Sequence, residues 1–280
     1  MSILRRPVAA SEAISVAALP MYDLPELQAA NDALWSSIVR SLAGEGIEAP
    51  GALTRGADLD RLWRDPALLL AQTCGYPLVT SLDGAVRLVA TPRYRAPGCV
   101  GPFYRSAVIV AAASPAMRLA DLRGGRCAVN QSASNSGMNL LRAEVARAAG
   151  GRAFFGEVRF TGAHLASLEA VASAQADVAA IDAVAFAHVR RWRPQLARQV
   201  RVLQWTQASP GLPLITSLST PPDVVDALRR ALDAACADPA LADVRQTLLI
   251  DGFNVLRTSH YAAVRHAQDF AAQLAYPELR

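Results

Sequence analysis

The chain contains no lysine. All 28 of its basic residues are arginine, against 24 acidic residues, for a formal charge of +4. Without a lysine amine there is no Schiff base, which excludes ordinary pyridoxal chemistry. A Walker-type phosphate loop is excluded for the same reason. The exclusive use of arginine otherwise reads as genomic base composition. The arginines are scattered and form no basic stripe interleaved with aromatics, so no nucleic-acid partner is expected. Cysteine is scarce too. Cys74, Cys99, Cys127 and Cys236 lie far apart and no CxxC occurs. His164, His188, His260 and His266 add no metal-ligand spacing, so no metal site is expected, and nothing implies a cofactor. Cys127 and Cys236 fall in apolar runs and read as core. Cys74 and Cys99 each sit beside a glycine at the end of a strand-like segment. They either pair in an oxidising compartment or stand as two free thiols. Long apolar runs are missing as well: no stretch reaches the roughly 20 residues that span a membrane. The opening MSILRRPVAASEAISVAALP has two arginines but no sustained apolar core, and Glu12 interrupts it. It reads poorly as a secretory signal. Either the chain stays in the cytoplasm or its export segment has been removed.

What the sequence does have is apolar content, 52% of 280 residues. That supports a substantial core in one large domain or two lobes. Ile14 to Leu19 is short, apolar and β-branched, a buried strand. Pro25 can open a helix whose Leu27, Leu34, Ile38 and Leu42 form one stripe, ended by Gly44. Leu68 to Cys74 and Val86 to Ala90 read as strands, the second stopped by Thr91-Pro92. Arg105 to Ala113, Ala128 to Asn130, Val158 to Thr161, Asp177 to Ile181 and Val200 to Trp205 read as further strands. Between them lie helices with Met138, Leu141, Val145 and Ala148 on one face, then Leu165, Leu168 and Val171, then a helix over 183–191. Pro221-Pro222 starts another helix, and two more helical stretches close the chain. Strands alternating with helices predict an α/β fold of mainly parallel sheet covered on both faces. Such sheets bind ligands at the carboxyl ends of their strands. Tyr22, Tyr76, the run Asn130 to Gly137, His164 and Asp182 all follow a predicted strand.

Three segments concentrate polar groups at helix starts. Asn130-Gln131-Ser132-Ala133-Ser134-Asn135-Ser136-Gly137 joins a strand to a helix. Its serines and asparagines can cap that helix, and the free N–H groups with the helix dipole favour an anion there. Gly137 allows close backbone approach. Taken alone, the run is also what an ordinary capped helix looks like. Gly162-Ala163-His164 again opens a helix after a strand, and His164 can donate to an oxyanion or serve as a cap. Ala179-Ala180-Ile181-Asp182 ends an apolar strand in an acid, which is costly to bury unpaired. Asp182 caps the next helix or holds a ligand amine or hydroxyl.

Together these segments resemble the phosphate/phosphonate-binding protein family of ABC importers, a branch of the type II periplasmic binding proteins. The family carries a Ser-Thr-Ser-Gly-like loop, a Gly-Ser-His-like turn followed by Ser-Leu, and Asp-Val-Ala-Ala before an acid. The matching text here is Ser134-Asn135-Ser136-Gly137, Gly162-Ala163-His164, Ser167-Leu168 and Asp177 to Asp182. Asn135 stands where the family has threonine. The resemblance covers roughly residues 14 to 218. It implies two lobes, residues 12–103 with 207–280 and residues 104–206, joined by crossings near Tyr104-Arg105 and Trp205-Thr206. It implies oxyanion contacts at Ser134, Asn135, Ser136 and His164, an amine-binding acid at Asp182, and aromatic contacts at Tyr22 and Tyr76. It also implies a periplasmic protein that closes over a phosphonate, phosphate ester or similar small oxyanion and delivers it to an ABC permease, with no reaction catalysed. The chief alternative is an enzyme on the same two-lobed fold, acting on a small anionic metabolite in cofactor biosynthesis. No nucleophile–base pair supports it in the sequence, whereas the missing export signal does. A cytoplasmic ligand sensor or partner-binding module ranks third.

Overall fold

The computed structural model describes residues 16–280. The opening stretch read for an export signal, with Ile14, Ser15 and the expected lobe start at residue 12, lies outside the described residues. The chain first lays down β1 (Val16–Ala18), α1 (Gln28–Gly44), α2 (Leu59–Trp63), β2 (Leu68–Gln72), α3 (Gly75–Val79) and β3 (Val86–Tyr94). It crosses through β4 (Phe103–Tyr104) into β5 (Ser106–Ala111), β6 (Arg126–Val129), α4 (Leu140–Ala149), β7 (Glu157–Phe160) and α5 (His164–Ala172). There follow β8 (Val178–Asp182), α6 (Ala183–Trp192), α7 (Pro194–Ala197) and β9 (Val200–Trp205). It returns through β10 (Ser209–Pro210) to β11 (Leu214–Ser217), α8 (Pro222–Ala237), α9 (Ala242–Leu248), β12 (Ile250–Asn254) and α10 (Ala262–Gln273).

The strands form two five-stranded sheets, ordered β1-β2-β11-β3-β12 and β7-β6-β8-β5-β9. The result is a two-lobed α/β fold. Its sheets are mixed, however, not mainly parallel. Strands connected through helices run parallel: β1 with β2, and β6 with β7 and β8. Where the chain passes directly from one sheet to the other, no helical crossover preserves its direction. Thus β5 is antiparallel to β8 and β9, and the returning β11 is antiparallel to β2 and β3. β3 also outruns its expected stop at Thr91-Pro92. β11 pairs with it only as far as Ala90 and β12 takes over at Thr91. Pro92 therefore lies where one side of the strand has no neighbour that needs its N–H.

Side chains alternate across each sheet, as the pleat requires. Along β5, Val108 and Val110 face one cluster with Leu141 and Val145 of α4, while Ala107 and Ile109 face Leu168 and Val171 of α5. Trp35, Ile38 and Leu42 of α1 pack with Leu228 and Leu232 of α8 on the first sheet. α4 stops at Gly150, whose φ of +62° is a left-handed conformation that glycine adopts without strain. The two crossings run side by side, Tyr104 of β4 opposite Ser209 of β10. The segment 207–280 packs against both sheets. α8 packs on the first sheet, but Ala271 and Tyr276 are buried with Val108 and Phe154 on the second. The Phe154 and Phe155 N–H groups donate to the Arg280 carbonyl, at 2.7 and 3.1 Å.

Candidate ligand-binding site

A cleft of about 610 Å³ lies between the two sheets and takes walls from both. It sits at the carboxyl ends of the strands, where Tyr22 follows β1, Cys74 follows β2, Asn130 follows β6 and Asp182 ends β8. Five of the expected site residues line it: Tyr22, Ser134, Ser136, His164 and Asp182.

The serines sit on a π-helical turn, Asn135–Asn139, that leads into α4. Ser134 caps that turn, its Oγ accepting from the Gly137 N–H at 3.0 Å. The Ser136 Oγ lies 3.4 Å from the Ser134 Oγ and 2.8 Å from His164 Nε2. His164 opens α5 from the far side of the same wall, after the extended Ala163. Burial pushes its imidazole down to about 4, against a weaker upward pull from the Ala180 backbone. The ring is therefore neutral at neutral pH and serves as a hydrogen-bonding group, not as a cation.

Asp182 is 1% exposed and caps α6. Its Oδ1 accepts from the Val184 N–H at 2.8 Å, the Ala185 N–H at 3.1 Å and the Tyr22 hydroxyl at 3.0 Å. Its Oδ2 is buried with no partner. Burial raises the carboxyl to about 6, although those three donors pull it down. Burial and the nearby Asp182 hold the Tyr22 phenol well above its ordinary value, which keeps it protonated and donating. Of the two roles weighed from the sequence, the helix cap is seen at Oδ1, and Oδ2 is left without a partner.

The other three expected site residues do not line the cleft. Asn135 is fully buried, and its Nδ2 donates to the Tyr104 hydroxyl at 3.0 Å and the Ser209 Oγ at 2.9 Å. It ties the loop to both crossing segments and does not line the cleft. Gly137 lies behind the wall. A Cβ there would sit 1.9 Å from Asn130 Oδ1 and 3.1 Å from His164 Cε1, so the glycine makes room for Asn130. Tyr76 packs into apolar clusters on both lobes, and its neighbours Cys74 and Pro77 reach the cleft instead. All four cysteines are free thiols. Trp63 and His188 join the lining without having been singled out, as does Asn130 from the start of the expected polar run.

Charge in the cleft is one-sided. Among the described residues lining it there is no arginine, and the acids are Asp23, Asp58, Asp60 and Asp182. The first three are engaged within the first lobe. Asp23 pairs with Arg55 at 2.6 Å, Asp58 caps α2 through the Arg61 N–H at 3.0 Å, and Asp60 pairs with Arg64 at 3.2 Å. Only Asp182 among them has a buried oxygen without a partner. Any anion bound here meets hydroxyls, a neutral imidazole and helix N-termini.

Residues 65–261 match the family of periplasmic substrate-binding proteins of ABC phosphonate transporters. The chain belongs to this family. It is a solute-binding protein, not an enzyme, and the component of an importer that meets the small ligand and serves a permease. No helix among the described residues is long and apolar enough to cross a membrane. No curated protein matches the chain. Solved structures share the fold at low identity. A binding-protein component of an ABC phosphonate transporter from Pseudomonas aeruginosa is 17% identical, with a TM-score of 0.76 over 93% of this chain and 87% of that one. PhnD1 from Prochlorococcus marinus, in complex with methylphosphonate, is 12% identical, with a TM-score of 0.73 over 92% and 98%. A Xanthomonas citri protein bound to ATP is 18% identical, with a TM-score of 0.70 over 94% and 98%.

Proposed function

We propose that the cleft binds a phosphonate or phosphate ester in the periplasm. Its oxyanion rests on Ser134, Ser136 and His164, and its organic end turns toward Asp182 and Tyr22. The observation that carries this reading is the pairing of two unlike groups in one cleft. One is a cluster of hydroxyl and imidazole donors at helix starts; the other is a buried carboxylate oxygen that nothing in the protein satisfies. The first calls for an anion and the second for a hydrogen-bond donor on the same ligand. The binding wall is carried mainly by the lobe of residues 104–206, and the rest of the chain up to the tail supplies the opposing wall. Rotation about the crossings at Tyr104 and Ser209 closes the two over the ligand.

Calorimetric titration with methylphosphonate and with 2-aminoethylphosphonate tests the reading. Both are expected to bind, the second more tightly because it reaches Asp182. Absence of heat with either compound and with inorganic phosphate would overturn it.

A further inference from the structure

α6 turns one side toward the cleft. Asp182 at its cap, Ala185, His188 and Val189 all line the wall, at spacings that share one helical face. His188 is 1% exposed, and neither of its ring nitrogens has a hydrogen-bond partner. Its nearest aromatic neighbour is Tyr22, with ring centres 6.3 Å apart and planes tilted by 50°. Two unpaired nitrogens in a buried ring are costly unless something that enters the cleft satisfies them. At about 1.5 Å of rise per residue, His188 stands roughly 9 Å along the helix axis from Asp182.

Burial, with a smaller contribution from Arg191, pushes the His188 imidazole down to about 4. At neutral pH the ring is uncharged and presents one N–H donor and one acceptor nitrogen. The two nitrogens point away from each other, so a single hydroxyl meets only one of them, and a pair of hydroxyls on one ligand meets both, one accepting and the other donating. An ammonium answers only the acceptor and leaves the imidazole N–H unpaired.

We infer that His188 is a specificity-determining contact, which reads a pair of hydroxyls on the organic tail of a ligand whose oxyanion lies at Ser134, Ser136 and His164. This rests on the oxyanion reading of the cleft and extends it to the class of tail: hydroxylated, and longer than an alkyl stub.

Three probes separate the two claims: methylphosphonate, which has no tail, glycerol 3-phosphate, which has a hydroxylated one, and 3-aminopropylphosphonate, which carries an ammonium instead. The ratio of affinities for glycerol 3-phosphate and 3-aminopropylphosphonate is expected to fall from the wild type to His188→Leu, because Asp182 can hold the ammonium in both proteins. His188→Leu is expected to weaken glycerol 3-phosphate at least about tenfold and to leave methylphosphonate within about twofold. His188→Gln, whose amide keeps a donor and an acceptor, is expected to recover most of the loss. Nitrogen-15 spectra of histidine-labelled wild-type protein give a readout that needs no variant. Both ring signals of His188 are expected to shift with glycerol 3-phosphate and to stay in place with methylphosphonate. Equal losses for glycerol 3-phosphate and methylphosphonate in His188→Leu, no loss at all, or a loss for the ammonium probe as large as that for glycerol 3-phosphate would each overturn the inference. If none of the three probes binds the wild type, the oxyanion reading itself falls. If methylphosphonate binds and His188 proves indifferent to the tail, only this inference falls.

Discussion

Asp182 holds three donors on one oxygen and none on the other, and burial dominates its titration. Its proton is held more tightly in the folded state, at about 6, than at the ordinary value near 3.9. Its contribution to stability is therefore fully present below about pH 4 and is lost as the pH climbs to about 6, in all roughly 3 kcal/mol. His164 and His188 act in the opposite sense. Both are pushed down to about 4, so stability is lost as the pH falls from about 6.5 towards 4. Two histidines outweigh one aspartate, and stability in urea is expected to rise between pH 4 and 6.5. Asp182→Asn removes the opposing group and is expected to steepen that rise; a flatter profile in the variant would contradict the assignment. The serine and asparagine of the loop separate in the same way. Ser136→Ala is expected to cost about 1.5–3 kcal/mol of phosphonate affinity, read by calorimetry. Asn135→Ala leaves the Tyr104 and Ser209 hydroxyls short of a buried donor. It is expected to cost about 1–3 kcal/mol of folding stability, with a smaller effect on affinity.

At the scale of elements, the loop from β6 to α4 shows why a glycine was needed. The π-helical turn brings the backbone of residue 137 against Asn130, whose Oδ1 is buried without a partner. Asn130 in turn stands 3.5 Å from His164 Nε2. Gly137→Ala drives a methyl group into that space, and overpacking of this kind costs about 1–3 kcal/mol. Asn130 lines the cleft and stands beside His164, so phosphonate affinity is expected to fall along with the melting temperature. A variant that melts lower but binds as before would show that Asn130 relaxes without disturbing His164. The helix caps were legible in advance, because Ser134 and Asp182 stand where strand periodicity gives way to helix periodicity. The strands β11 and β12 were not, because Leu214–Ser217 and Ile250–Asn254 are short and carry no repeating pattern long enough to read.

For the whole molecule, the C-terminal tail is the least expected structural member. Tyr276 is fully buried in the core of the second sheet, although the strand before it, β12, belongs to the first. Tyr276→Ala is expected to cost about 3–5 kcal/mol in urea unfolding, comparable with truncating a core aromatic. A loss under about 1 kcal/mol would mean that the tail is a passive strap. Lobe closure is expected to reduce the radius of gyration in small-angle scattering at saturating methylphosphonate. Identical profiles with and without ligand would count against rotation about the crossings.

The alternation of apolar segments with amphipathic helices determined, from the sequence alone, the α/β class and the placing of Ser134, His164 and Asp182 at strand ends. Those are consequences of short stretches, where periodicity and capping are local. Strand direction was decided elsewhere: β5 and β11 run antiparallel to their neighbours because of how the chain passes between the sheets. So was the cleft wall. Tyr22 and Asp182 share a hydrogen bond across 160 residues of sequence, and Cys74 faces the cleft in place of Tyr76, two positions on. His188 read as one of four isolated histidines. Its i+6 spacing from Asp182 was visible in the sequence, but which side of α6 meets the cleft is set by Phe186 packing into the core of the second lobe. A face is chosen by the partner it packs against, and that partner lies far away along the chain.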